Sequence, residues 1–163
     1  MIKRIAIAVL FTAAIFTLSA CASAERTGSA ANDSETNAEN FESVEGERIK
    51  MTAGGLEVYI TLNGSKAAAE LYNMLPLEME LIERNGFAKG MTLPKALDTD
   101  EETTRDYEIG DFGYWAAGPD LAIFYSDIYE QTIVPVIPIG KAEYGAGLLA
   151  NASGSATLEA LRD

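Results

Sequence analysis

Between residues 49 and 62 an apolar side chain falls on every second position: Ile49 and Met51, then Leu56, Val58, Ile60 and Leu62, with Glu57, Tyr59 and Thr61 between them. A period of two puts these groups on one face of a strand and scatters them around a helix, so the pattern demands a half-buried sheet. Gly54-Gly55 divides the two runs, which therefore read as a hairpin.

The rest of the chain can be read from that start. Ser65 is placed to cap a helix whose apolar positions Ala68, Leu71, Tyr72 and Leu75 follow the i, i+3, i+4, i+7 spacing, with Pro76 as its stop. Alternation resumes at Leu77, Met79 and Leu81 against Glu78 and Glu80, and Asn85-Gly86 is a two-residue hairpin signal that returns the chain through Phe87 towards Met91 and Leu93. Residues 94–107, rich in Asp, Glu and Thr, read as a long exposed loop. Phe112-Gly113-Tyr114-Trp115 and Leu121-Ala122-Ile123-Phe124-Tyr125 form two strands joined by Gly118-Pro119-Asp120. The second is apolar throughout and so central, buried on both faces. Pro135 and Pro138 make residues 133–139 an edge or bulged strand, and a helical turn over 147–151 and a strand over 156–161 complete the domain. The expected fold is mainly β: a small closed or nearly closed barrel of about eight strands with one to two short helices, an arrangement that leaves few free edges.

Ahead of this domain the chain changes character. Lys3 and Arg4 precede an uncharged apolar run over residues 5–17, and Leu18-Ser19-Ala20 leads into Cys21. Basic end, apolar stretch and small residues at the cut are the order of a secretory signal, and the apolar stretch falls short of the roughly 20 residues needed to span a bilayer. Leu18-Ser19-Ala20-Cys21 also resembles the lipobox of bacterial lipoproteins, which implies lipidation of Cys21 and anchoring outside the cytoplasm, on the cell membrane or an outer membrane. Residues 22–47 are Ala, Ser, Thr, Asn, Gly and Glu with only Phe41 and Val44 as sizeable apolar groups. Such a composition cannot bury a core and reads as a disordered linker, roughly 30 Å from end to end on average. The expected organisation is a signal peptide over 1–20, a lipidated cysteine and linker over 21–47, and one domain over 48–163.

Composition then removes several chemistries. Cys21 is the only cysteine, and there is no histidine. The domain therefore has no disulfide, no thiol nucleophile, no Ser-His-Asp triad and no imidazole for acid/base work or zinc. The first 20 residues hold two basic and no acidic residues, so removing them takes the net charge from −13 to −15. A surface of that sign repels phosphate backbones, which excludes nucleic acid as a partner.

The segment Gly110-Asp111-Phe112-Gly113-Tyr114-Trp115-Ala116-Ala117-Gly118-Pro119-Asp120-Leu121-Ala122-Ile123-Phe124-Tyr125 resembles the bacterial cyclophilin-like fold family, as do Leu71-Tyr72-Asn73-Met74-Leu75-Pro76-Leu77 and Pro138-Ile139-Gly140-Lys141. The resemblance implies a cyclophilin-like barrel capped by helix. It departs from the family at Ala116-Ala117, where a Pro-Pro pair is usual, at Pro119-Asp120, where Asn is usual, and at Lys141, where Arg is common. A fold carries no activity by itself.

Three functional readings follow. The first is a binding module, non-catalytic and without a cofactor, for a small molecule, peptide or protein partner; Tyr114, Trp115, Phe124 and Tyr125, with Tyr129, are the aromatic stock for its cleft, and Lys141 stands at a departure from the family pattern. The second is peptidyl-prolyl isomerisation, by resemblance to true cyclophilins. This chain keeps only Gly110-Asp111-Phe112 of their signature and lacks their histidine, and nothing singles out Arg48, Arg84 or Arg105 as the arginine. The third is calcium binding by the acidic residues of 98–106, but the glycine and the final glutamate of a calcium loop are missing, so a solvated acidic loop is expected and no metal.

Overall fold

The computed structural model describes residues 41–162. The signal peptide, Cys21 and residues 22–40 of the expected linker lie outside the described residues. Among the described residues there are nine strands: β1 Arg48–Ala53, β2 Leu56–Leu62, β3 Leu77–Glu80, β4 Ile82–Arg84, β5 Ala88–Thr92, β6 Asp111–Trp115, β7 Asp120–Phe124, β8 Ile137–Ala142 and β9 Ser155–Ala160. One α-helix, α1 (Lys66–Met74), and one short 3-10 helix, Ala146–Asn151, accompany them. The strands form a single antiparallel sheet in the order β3-β9-β1-β2-β8-β6-β7-β5-β4, and β3 comes against β5 to bring the sheet nearly to closure as a barrel.

The alternation that opens the domain does what its period requires. Arg48–Ala53 and Leu56–Leu62 pair as a hairpin, with Ile49 opposite Ile60 and Met51 opposite Val58, all of them buried. With Met91, Phe112, Tyr114, Leu121, Ile123, Ile139 and Leu158 from the other strands, these side chains fill the barrel interior. Each fully buried aliphatic group contributes roughly 1.5–3 kcal/mol, so the interior is a packed core and not a ligand cavity. Helix α1 starts where Ser65 accepts a hydrogen bond from the Ala68 amide at 3.1 Å, and it turns Ala67, Ala68 and Leu71 onto the barrel. Among the described residues no helix is long and apolar enough to cross a membrane.

Four expectations change. The alternating run from Leu77 is two strands: β3 pairs with β9 while β4 pairs with β5, because the Leu81 amide donates to the Gly154 carbonyl at 2.8 Å and the chain turns a corner of the barrel there. The strand expected over 133–139, at an edge or bulged, begins only at Ile137 and lies between β2 and β6 rather than at an edge, and it is bulged, its register with β6 shifting between Phe112 and Gly113. Pro138 is tolerated because it falls at a shift of register beside Gly113 and beyond the stretch of β8 paired with β2. The loop over 94–107 is anchored rather than wholly exposed: Leu97 and Tyr107 are buried, and the Leu97 amide donates to the Tyr114 hydroxyl at 3.1 Å. Finally, the domain starts before Arg48. Val44 is buried in the core, the Gly46 amide donates to the Leu62 carbonyl, and the Leu62 amide donates to the Glu47 carbonyl.

Candidate functional site

Because side chains alternate along β5, β6 and β7, those that do not fill the barrel share its outer face. Register arranges them in three rows. Arg84, Ala88 and Phe124 make one, Ile82, Gly90, Ala122 and Gly113 the next, and Thr92, Asp120 and Trp115 the third. Beyond Ile82 at its end the middle row is small, which leaves a shallow floor over Gly90 and Ala122 between two taller walls. A cleft of about 440 Å³ lies on that floor.

One wall is the loop over 126–136. Its Val136 lies flat on the sheet because position 113 is glycine; a Cβ there would stand 3.3 Å from the Val136 side chain and from the Ile137 carbonyl. The loop is tied to the preceding one by a two-way clip. The Thr132 amide donates to the Arg105 carbonyl at 2.8 Å and the Arg105 Nε to the Thr132 carbonyl at 2.7 Å. The Gln131 amide group donates to Asp106 at 2.8 Å, and the Tyr129 amide to the Tyr107 hydroxyl at 3.0 Å. Beneath it, Tyr107 stacks on Phe124 with centroids 4.6 Å apart, and Phe87 meets Tyr129 edge-on at 5.3 Å. Ile133 projects from this wall with 84% of its surface exposed.

The opposite end is polar. Arg84 and Asp120 form a salt bridge; Asp120 is buried, and its other oxygen accepts from the Thr92 hydroxyl at 2.5 Å. The guanidinium also stands 5.9 Å from the centre of the Trp115 ring. To reach Asp120 from its own row, Arg84 must cross the middle row at Gly90, where a Cβ would sit 2.7 Å from its Nε. Glycine at 90 is thus what allows the arginine to lie along the floor.

Of the aromatic residues singled out in the sequence, Trp115, Phe124 and Tyr129 line this cleft. Tyr114 points the other way, fully buried in the barrel. Tyr125 also packs into the core, its hydroxyl donating to Glu83 at 2.8 Å. Burial and that hydrogen bond to a carboxylate push its phenol up to about 12. Burial alone would raise the Glu83 carboxyl, but hydrogen bonds from Lys89 at 2.7 Å, from Tyr125 and from the Gly86 amide prevail and hold it below its ordinary value. Lys141 lies elsewhere on the surface, 2.6 Å from Glu108 and 3.2 Å from Asp111, and these bonds raise its pKa. Of the three arginines, Arg48 pairs with Glu143 and Arg105 clips the loop; Arg84 is the one in the cleft. Among the described residues no three His, Cys, Asp or Glu side chains converge as a metal site; Glu101 instead accepts from the Lys66 amide at the start of α1, at 2.6 Å.

Sequence reasoning left out Asp120, Thr92, Gly90 and Phe87, and left Arg84 undistinguished. The signal was nonetheless present: an Asn85-Gly86 turn sets Arg84 opposite Ala88, and two residues further along β5 on the same face is Gly90.

The sequence pattern of the cyclophilin-like family matches residues 51–160. No curated protein matches the chain. Among solved structures it is similar to a hypothetical protein of Archaeoglobus fulgidus known in solution, with a TM-score of 0.60 and 21% identity over 75% of this chain and 99% of the other. It is also similar to McbB, solved in complex with tryptophan, with a TM-score of 0.54 and 14% identity over 71% of this chain and 46% of McbB. At these identities the likeness is one of fold.

Proposed function

The chain belongs to the cyclophilin-like family, and from that premise we propose that it is a membrane-tethered binding module, non-catalytic, whose ligand lies in the cleft beside Trp115. The observation that carries this reading is the cleft itself: about 440 Å³, within the range of small-molecule sites, floored by small residues and walled largely by aromatic and aliphatic ones, with the Arg84–Asp120 pair at one end. The filled barrel supports it too, since its interior leaves no room for an apolar ligand. A domain without histidine or thiol lacks the commonest catalytic groups. The lipobox-like Cys21 supports the tether.

Trp115 is the chain's only tryptophan, so its fluorescence reports on the cleft without interference. Titration with fatty acids, fused aromatics and apolar peptides is expected to give a saturable change in its emission with at least one class. Ala122→Leu, which fills the floor, is expected to abolish that change. No saturable response to any class, or a response indifferent to Ala122→Leu, sinks the reading.

A second reading, prolyl isomerisation, gains from the position of Arg84 in the cleft. It stands second because Asp120 already engages the guanidinium. Turnover of a proline tetrapeptide in a protease-coupled assay, lost in Arg84→Ala, would reverse the order.

A further inference from the structure

We infer that the cleft selects uncharged ligands that carry a hydrogen-bond acceptor and rejects anions, and that Asp120 sets this choice. The inference rests on the cleft's being the ligand site. Its polar end looks at first like an anion trap, an arginine beside an aromatic ring. The pairing says otherwise. Asp120 is buried, accepts from Arg84 on one oxygen and from Thr92 on the other, and so cancels the guanidinium charge where a ligand would meet it.

Arg84 retains donors to offer. Among the described residues Asp120 is the one hydrogen-bonding partner of its guanidinium, which has five N–H groups. A neutral carbonyl or ether oxygen arriving at this end gains a charge-assisted hydrogen bond and meets no net repulsion. A carboxylate arriving there meets the Asp120 carboxylate a few ångströms behind the same guanidinium, and like charges so placed in a partly desolvated site disfavour binding. Gly90 leaves the room that lets Arg84 lie against the floor beside Asp120, so the cation cannot swing out to meet an anion at the rim without leaving that partner. Most of the remaining lining is aromatic or aliphatic, with Gln131 and Thr132 on the loop and Glu83 and Asn85 beside Arg84, which directs the choice to flat, mostly apolar molecules with one acceptor.

Acetylnaphthalene and naphthoate have the same ring and nearly the same shape and differ in charge, so they isolate the point. Their binding to the full domain can be followed by the indole N–H of Trp115, a single signal in a proton–nitrogen correlation spectrum. The ketone is expected to bind tighter than the carboxylate by about tenfold or more. Asp120→Asn, which keeps the shape and a hydrogen-bonding oxygen, is expected to erase that preference or invert it. Repulsion by the acidic surface as a whole would instead fade at high salt and ignore one residue; a preference that behaves so overturns the role of Asp120. Equal or tighter binding of naphthoate to the unaltered protein overturns the inference even if Asp120→Asn does not fold. If neither probe moves the Trp115 signal the inference is overturned, and the cleft itself falls as a site if the fluorescence titration is silent with every class as well.

Discussion

Tyr114 and Trp115 are neighbours with opposite fates, one sealed in the barrel and one on the cleft, because adjacent residues of a strand face opposite ways. The sequence declared an aromatic stock here but not which parity faces inward. Ile123 between Ala122 and Phe124 shows why: when a central strand is apolar on both faces, alternation disappears as a signal. Asp120 and Arg84 were invisible as a pair because they are 36 positions apart and meet only through the β4–β5 and β5–β7 registers. Tyr125 offers a test at this scale. Its phenol is raised from 10.0 in an unfolded chain to about 12 in the fold, so its contribution to stability is complete below pH 10 and is lost as pH rises through about 12. Urea unfolding midpoints measured across that interval should fall more steeply for the unaltered protein than for Tyr125→Phe. Parallel curves would mean that the Tyr125–Glu83 bond contributes nothing to alkaline sensitivity.

Elements with a single strong local cue were legible. The first hairpin declared itself by period and by paired glycines, and α1 by its cap and its spacing. The Ser65 hydroxyl accepts from the Ala68 amide and itself donates to Asn63 at 2.7 Å, which ties the helix to the strand before it. Ser65→Ala is expected to cost about 1 kcal/mol of stability, read as a lower urea midpoint with an unchanged slope. A loss below a few tenths would show that the cap is dispensable. Elements whose limits depend on distant partners were not legible. β3 and β4 form one continuous pattern in the sequence, and only their different neighbours, β9 and β5, separate them. The segment before Ile137 was read as strand; it is instead a wall of the cleft, paired through its backbone only where Val136 bonds Thr104, with Val136 lying on the sheet and Ile133 projecting from it.

At the scale of the whole molecule, one acidic domain is joined to an N-terminal segment whose order of basic, apolar and small residues is that of an export signal. If Cys21 carries lipid, globomycin should accumulate the uncut precursor, and Cys21→Ser should shift the protein from the membrane fraction to the soluble one. Unchanged processing and fractionation would leave the domain without its proposed anchor. The number of strands and the closure of the barrel could be anticipated from turn signals and short periodic runs; the place of the cleft could not, since it depends on which face the barrel turns outward. That placement separates two kinds of selection on the sequence. The interior must keep its volume and shape or the fold weakens, with a large-to-small change there costing roughly 2–5 kcal/mol. The cleft is laid on the outside of this packed interior, on alternate residues of the same strands and on a loop. Its chemistry can therefore be rewritten one position at a time while the scaffold stays intact, so that descendants of one barrel are free to change what they hold without having to relearn how to fold.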